Sequence, residues 1–306
     1  MNPIAIKVGG YQGPDSINTR AAARFGDRLL ERLGEAVSFE LVGDVLALGR
    51  NSGDLPDMVE NCELALCYIS TIRFAPAVPE LRLLELPFVV RDRPSAIRAL
   101  DGQLGALFKQ RMSERTPFRA LGFWDNGFRH ITNKVRPIRS PQDCSGIRIR
   151  TQMSALHAEA LGALGFEPIP AEIKAFTESI GSERFQAQEN PLTNTFHFGV
   201  QRYHRYITLT GHFFGASAFV CNESLYQSWP KPVQEAVEAA AREATAFQHA
   251  LAGAEDDHVL AHIDPRENEV IRLTPAEHDA FVKAMEPVLE RHRATLDPHL
   301  FELLRA

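Results

Sequence analysis

Apolar and polar positions along the first third of the chain fall into short runs whose period switches between two and about 3.6 residues. Ile4-Ala5-Ile6-Lys7-Val8 reads as a strand, and the turn-rich Gly9-Gly10-Tyr11-Gln12-Gly13-Pro14-Asp15-Ser16 follows it. A helical period then runs from about Asn18 to Leu33 and stops at Gly34. Val37 to Val42 predicts a second strand, Leu55 to Glu63 a helix, and Leu64 to Ile69 a third strand whose end carries Ser70-Thr71. Strands alternating with helices predict a parallel sheet covered on both faces, and in such sheets ligands sit beyond the carboxyl ends of the strands. The stretches Tyr11 to Ser16 and Tyr68 to Thr71, with Gln12, Tyr68 and Ser70 among them, are therefore candidate pocket walls.

The alternation restarts near Leu121-Gly122-Phe123-Trp124 and continues through Arg129-His130-Ile131-Thr132-Asn133. Gly146 to Arg150 then reads as a strand and Ser154 to Gly165 as a helix. From Lys231 to Ile263 the chain is alanine-rich, carries the single glycine Gly253, and predicts one helix of about 50 Å at 1.5 Å per residue. Its apolar spacing at Val233, Val237, Ala240 and Ala244 marks a packing face, so it is expected to brace more than one unit. Thr274-Pro275-Ala276-Glu277 predicts the capped start of a terminal helix.

At 306 residues the chain is long enough for two compact units, and 44% hydrophobic with 24% charged residues is the balance of an ordinary globular core. With 33 basic against 39 acidic residues the formal charge is −6, which gives no overall attraction for nucleic acid or anionic lipid. Apolar stretches such as Phe213 to Val220 are too short to insert into a bilayer. Cys62, Cys67, Cys144 and Cys221 show no Cys-x-x-Cys spacing and read as buried thiols, with a disulfide at Cys62 or Cys67 left open. Met1-Asn2-Pro3 leads straight into the first strand without a basic and apolar leader. Two expectations follow from that start: an exported protein whose leader has been removed, or one that stays inside.

Two arginines stand where strands end. Arg150 closes the 146–150 strand and Arg129 opens another segment of the same unit. Guanidinium groups meet carboxylates through paired, charge-assisted hydrogen bonds, so a converging pair would capture a small organic acid. Arg136, Arg139 and Arg148 read as solvated surface cations instead, and spacing alone does not place Arg129 and Arg150 in one site. Asn190, in Gln188-Glu189-Asn190-Pro191, offers donor and acceptor together, or simply makes an Asx-type turn. His258 and His262, beside Asp256 and Asp257, have a spacing that fits a metal, although a solvated helix face explains them better. His197, His204 and His212 have no ligand-like spacing. There is no nucleophile elbow, phosphate loop or dinucleotide fingerprint. The chain reads as a binder without a cofactor rather than an enzyme.

Taken in order, several stretches resemble the solute-binding subunits of tripartite ATP-independent periplasmic (TRAP) transporters, the DctP-like family. They are Phe74-Ala75-Pro76 with Val78-Pro79-Glu80-Leu81 and Leu86-Pro87-Phe88; Gly127 to Asn133 with Arg136-Pro137-Ile138 and Ser140-Pro141-Gln142-Asp143; Gly146-Ile147-Arg148-Ile149-Arg150; and Gln188-Glu189-Asn190-Pro191 with Leu209-Thr210-Gly211-His212. The resemblance implies a two-lobed α/β fold of the periplasmic-binding-protein kind, each lobe a mixed sheet flanked by helices. One lobe would hold 1–123 and 214–250, the other 124–213 and 251–306, with hinges near 122–126 and 211–216 and the long helix, about 231–263, bracing both. It also implies that Arg150 clamps a ligand carboxylate with help from Arg129 and Asn190, and that membrane permease subunits receive the ligand from a periplasmic receptor. A cytosolic sensor or enzyme acting on a small carboxylate is the alternative on the same fold.

The departures from the family pattern lie in the second lobe. Counting back without gaps from Asn190-Pro191, the usual Val-Asp-Gly becomes Phe185-Gln186-Ala187, a common glutamate becomes Ala175, and an often aromatic position becomes Ile173. Arg73 stands where tyrosine is frequent. The far end of the ligand is expected to be polar, with Arg73 or Lys174 deciding whether it is a second carboxylate. If both point to solvent, the ligand has one carboxylate and hydroxyls read by Asp125, Asn126, Asn190 or His212. That monocarboxylate is the preferred expectation.

Overall fold

The computed structural model describes residues 3–305; Met1-Asn2, the opening read above as lacking a leader, lies outside the described residues. The strands are β1 (Ile4–Gly9), β2 (Val37–Val42), β3 (Leu66–Ser70), β4 (Phe118–Asn133), β5 (Arg148–Thr151), β6 (Glu167–Pro170), β7 (Ala187–Pro191), β8 (Tyr206–Asn222) and β9 (Glu269–Arg272). They form one sheet in the order β2-β1-β3-β8-β4-β7-β5-β6, with β9 added beside β8. Within each half the short strands run parallel, β1 with β2 and β3, and β5 with β6 and β7. The long pair β4 and β8 is antiparallel to each other, and antiparallel to β7 and β3 respectively, so the sheet is mixed rather than the parallel one that alternation predicts.

β4 and β8 join the halves. They are 16 and 17 residues long and almost wholly buried, which at about 3.4 Å per residue makes ribbons of roughly 55 Å. Aromatic and β-branched side chains fill both, and neither contains proline, so the ladder continues through the crossing. One apolar core covers both halves, and a smaller cluster of Ala171, Ile173, Phe176, Ile180, Phe185 and Val200 underlies part of the second.

The long helix runs Lys231–Ala261, with Pro232 in its first turn. Its buried stripe of Ala236, Ala240, Ala241 and Ala244 is small enough for close approach to the Ile17–Leu33 helix and to β4. At the crossing its polar side chains take over. Trp124 Nε1 donates to Thr245 Oγ1 at 3.1 Å, and the Gln248 amide accepts from Asp125 N–H at 2.9 Å and donates to Asp125 C=O at 2.6 Å. Among the described residues no helix is long and apolar enough to cross a membrane.

Two local expectations need correction. The predicted 55–63 helix ends at Glu60, because the chain turns through Asn61 and Cys62, the latter at φ 58°. That turn carries Cys62 to the surface, so it is an exposed thiol, while Cys67, Cys144 and Cys221 are buried; all four are free.

Candidate functional site

The site begins with an irregularity in the central ribbon. Between Asp125 and Gly127 the register of β4 against β8 slips, with Asp125 opposite Ala216 and Gly127 opposite Gly215. Gly127 takes φ 92°, a left-handed conformation that glycine adopts without strain, and its N–H bonds to Asp125 Oδ1 at 2.7 Å. Asn126 is the extra residue, and the bulge turns it into a cavity between the two halves of the sheet.

That cavity encloses about 30 Å³ open to the centres of water molecules. Tyr11, Ser52, Ile69, Ser70 and Arg73 come from the first half, Asn126 and Arg129 from the crossing strand, and Arg150, Gln152, Ile173, Asn190, Asn194 and Phe198 from the second. Apart from three arginines and the apolar Ile69, Ile173 and Phe198, the lining is neutral and polar. Burial pushes the Tyr11 phenol up from its ordinary value, so it remains an O–H donor.

The three arginines are not equivalent. Arg129 pairs with the fully buried Glu189: Nε and Nη2 both reach its carboxylate, and Nη2 also meets Glu189 C=O at 2.8 Å and Asn190 Oδ1 at 3.2 Å. Burial raises the pKa of Glu189, yet Arg129 and the neighbouring histidines outweigh it and hold the carboxyl well below the usual carboxylate range. Arg73 pairs with Glu172 through two bonds of 2.6 Å each. Arg150 is 3% exposed, donates from Nε to Ala171 C=O at 2.9 Å, and leaves Nη1 and Nη2 without a hydrogen bond to the described residues. Burial and the positive neighbours Arg129 and Arg73 push its pKa down from 12.5 to about 10 despite Glu189 and Glu172. The cavity therefore holds one net positive charge, on a planar group with two free donors, in surroundings that make the bare cation costly.

Arg150, Arg129, Asn190, Ser70, Arg73, Asn126 and Ile173, singled out in the sequence, line this cavity together. The others lie elsewhere. Tyr68 stands behind Tyr11 with its hydroxyl 2.7 Å from Thr19 Oγ1. Asp125 turns to Arg93, 3.1 Å from its Nε. His212 lies in the layer behind, 2.6 Å from Thr210 Oγ1. Gln12 donates across the halves to Asn194 Oδ1 at 2.7 Å, and Lys174, at the surface, reaches Gly49 C=O at 2.7 Å. Arg148 is turned to Glu183 C=O.

Four further wall residues and one acidic side chain escaped the sequence reading. Gln152 lies two residues beyond Arg150, and strand parity alone would have put it on the same side. Asn194 and Phe198 are four apart on one helical face. Ser52 sits in a short helical turn that gave no signal. The acidic side chain is Glu172, which precedes the Ile173–Glu178 helix at its N-cap position with its carboxylate turned to Arg73; the gapless count placed a glutamate position at Ala175, three residues further on.

The charge arrangement can be set beside known proteins. The chain is 30% identical over 289 residues to the uncharacterized protein y4mM of Sinorhizobium fredii, covering 94% of this chain and 52% of that one. It is 27% identical over 265 residues to the 2,3-diketo-L-gulonate-binding periplasmic protein YiaO of Escherichia coli, 87% of this chain and 79% of that protein. A TRAP periplasmic solute-binding protein from Sulfurospirillum deleyianum, solved with bound succinate, superposes with a TM-score of 0.93 at 25% identity over 100% of this chain and 99% of that one. The model of bacterial extracellular solute-binding protein family 7, DctP, matches residues 8–295, from within β1 to just past the Thr274-capped helix, which ends at Arg293, and the chain belongs to that family.

Proposed function

We propose that this protein is the extracytoplasmic receptor of a TRAP transporter, a non-enzymatic binder that works in the periplasm. It takes up a small hydroxylated acid with one carboxylate and presents it to membrane permease subunits. The observation that carries the reading is Arg150: a buried guanidinium with two free nitrogens beside two cations that already have carboxylates of their own. An anion placed there gains two charge-assisted bonds and cancels the cavity's one net charge. Asn126, Asn190, Asn194, Gln152, Ser70 and Tyr11 supply the donors and acceptors that hydroxyls need.

Relatives point both ways on the acid. YiaO carries a sugar acid in its name, whereas the Sulfurospirillum protein holds succinate with its two carboxylates. The single unmatched cation favours the first. Capture works by closure of two lobes, 1–123 with 214–250 against 124–213 with 251–306, pivoting near 122–126 and 211–216. The bulge at Asn126 and the contacts that join the two halves, Gln12 to Asn194 and Lys174 to Gly49, support that division. A thermal-shift and calorimetric panel of aldonates, uronates and C4-dicarboxylates tests the reading. A sugar-type monocarboxylate at a hundred times its Kd should stabilise the protein by about 2.7 kcal/mol. A panel in which only dicarboxylates bind, or nothing does, refutes it.

A further inference from the structure

We infer that Glu172 is the specificity residue of this site: held by Arg73 across the cavity, it takes the place of a ligand's second carboxylate and restricts the receptor to acids with one. The inference rests on the organic-acid reading above and extends it to the far end of the ligand.

The geometry is that of a bound carboxylate. Both Glu172 oxygens meet both terminal nitrogens of Arg73 at 2.6 Å, the parallel two-bond contact by which a guanidinium grips a free acid. Ser52 Oγ adds a third donor to Oε2 at 3.2 Å. The pair is largely shielded, with side-chain exposures of 17% for Arg73 and 23% for Glu172. Gly53 packs directly against it, and a Cβ there would lie 3.0 Å from Glu172 Oε1 and 3.1 Å from Arg73 Nη1. The first half of the fold thus provides a fork, a hydroxyl and a flat glycine floor, and the second half inserts its own carboxylate.

Glu172 is also tied to the clamp. It follows Ala171, whose carbonyl holds Arg150 Nε, and both Glu172 and Arg73 are close enough to act on the ionisation of Arg150. Arg73 and Ser52, which both hold Glu172, line the cavity together with Arg150, so a ligand held on Arg150 has this contact as part of its wall. A hydroxyl there meets a neutral pair that still has lone pairs to offer. A carboxylate there would face Glu172 at close range with the Arg73 fork already taken, an arrangement that like charges strongly disfavour.

Matched ligands isolate the effect. D-erythronate against meso-tartrate, and D-galactonate against galactarate, differ only in oxidation of the far carbon to a carboxylate. By calorimetry the wild-type protein should bind at least one aldonate more tightly than its aldarate by about 30-fold or more, the scale on which one unpaired buried charge acts. Glu172→Gln keeps the shape of the cap, releases the charge of Arg73, and should reverse the preference toward the aldarate. Adding Arg73→Met to it should abolish the aldarate gain. Arg73→Met alone, a second route should the glutamine variant not fold, leaves Glu172 unpaired beside Arg150 and should weaken aldonate binding by about tenfold or more. An unchanged preference in Glu172→Gln, an aldarate gain that survives in the double variant, or unchanged aldonate binding in Arg73→Met overturns the inference while leaving the organic-acid reading intact. Wild-type protein that binds no carboxylate overturns that reading itself, and the inference with it.

Discussion

Replacing Arg150 by methionine should weaken ligand binding and strengthen the fold at once. The two effects come from the same atoms. For binding, the variant removes both donors and the charge that a carboxylate would meet, a truncation worth about 2 to 5 kcal/mol, or roughly 30-fold to several thousandfold in Kd. For stability, burial has moved the guanidinium from 12.5 to about 10, and at about 1.4 kcal/mol per unit the cost of keeping that charge is about 3 kcal/mol. Methionine leaves the Ala171 carbonyl without its 2.9 Å donor, which takes back about 1 to 2 kcal/mol, and it retains much of the packing over the Phe176 ring. The net gain of about 1 to 2 kcal/mol should appear as a melting temperature raised by about 2 to 3 °C without ligand. Because the folded pKa lies below the unfolded one, the penalty is fully present below pH 10 and relieved only above it. The difference between variant and wild type should therefore be flat from pH 5 to pH 9. Arg148→Ala, on the same strand but turned to Glu183, is the control and should leave binding unchanged. Calorimetry that finds wild-type affinity in Arg150→Met, or a melt that finds it less stable than wild type, refutes the reasoning.

Two further predictions concern the frame of the site. His204 is buried with Nδ1 2.9 Å from Thr132 Oγ1, and burial pushes its pKa down to about 3, so only the unfolded chain takes up its proton as pH falls through 6.5. Stability should therefore drop by about 2 kcal/mol from this group between pH 7.5 and pH 5, and His204→Gln should remove that share of the drop in urea unfolding; an identical pH response in the variant counts against it. His157 works the other way, since Glu85 and Glu189 raise its pKa against the effect of burial, and its stabilisation fades as pH rises. Gln248→Leu should cost about 2 to 6 kcal/mol by orphaning the N–H and C=O of Asp125, with the urea midpoint lowered and the slope unchanged; a loss below about 1 kcal/mol would show the helix amide to be dispensable.

What the sequence revealed was what its neighbours in sequence determine. Val37 to Val42 was legible to the residue because alternation is a local signal, and so was the cap at Thr274, which exchanges bonds with Glu277 three residues on. Arg150 stood out as a strand-end cation, but its lack of a partner depends on Glu189 and Glu172 being bound to other arginines, which no spacing encodes. Asn126 could be named but not aimed, because its direction comes from a bulge fixed by the register of two strands far apart in the chain. Glu172 was missed because a gapless count runs straight through the irregular segment between the Ile173–Glu178 helix and β7. The exposure of Cys62 was hidden for a related reason, since a left-handed turn at a non-glycine residue leaves no mark on hydrophobic pattern.

The sheet order β3-β8-β4 has a consequence for how the chain is made. β3 and β4 are complete once residue 133 has been added, yet the strand that lies between them ends only at Asn222. At about 5 to 20 residues per second the two edges wait roughly 5 to 18 s during synthesis, apolar and unpaired. Neither half can finish its sheet alone. The first awaits the late end of β8, and the second is built around the early end of the same ribbon. The order of synthesis thus runs against the order of the sheet, and the central pairing of β8 with β3 and β4 can close only after most of the chain exists.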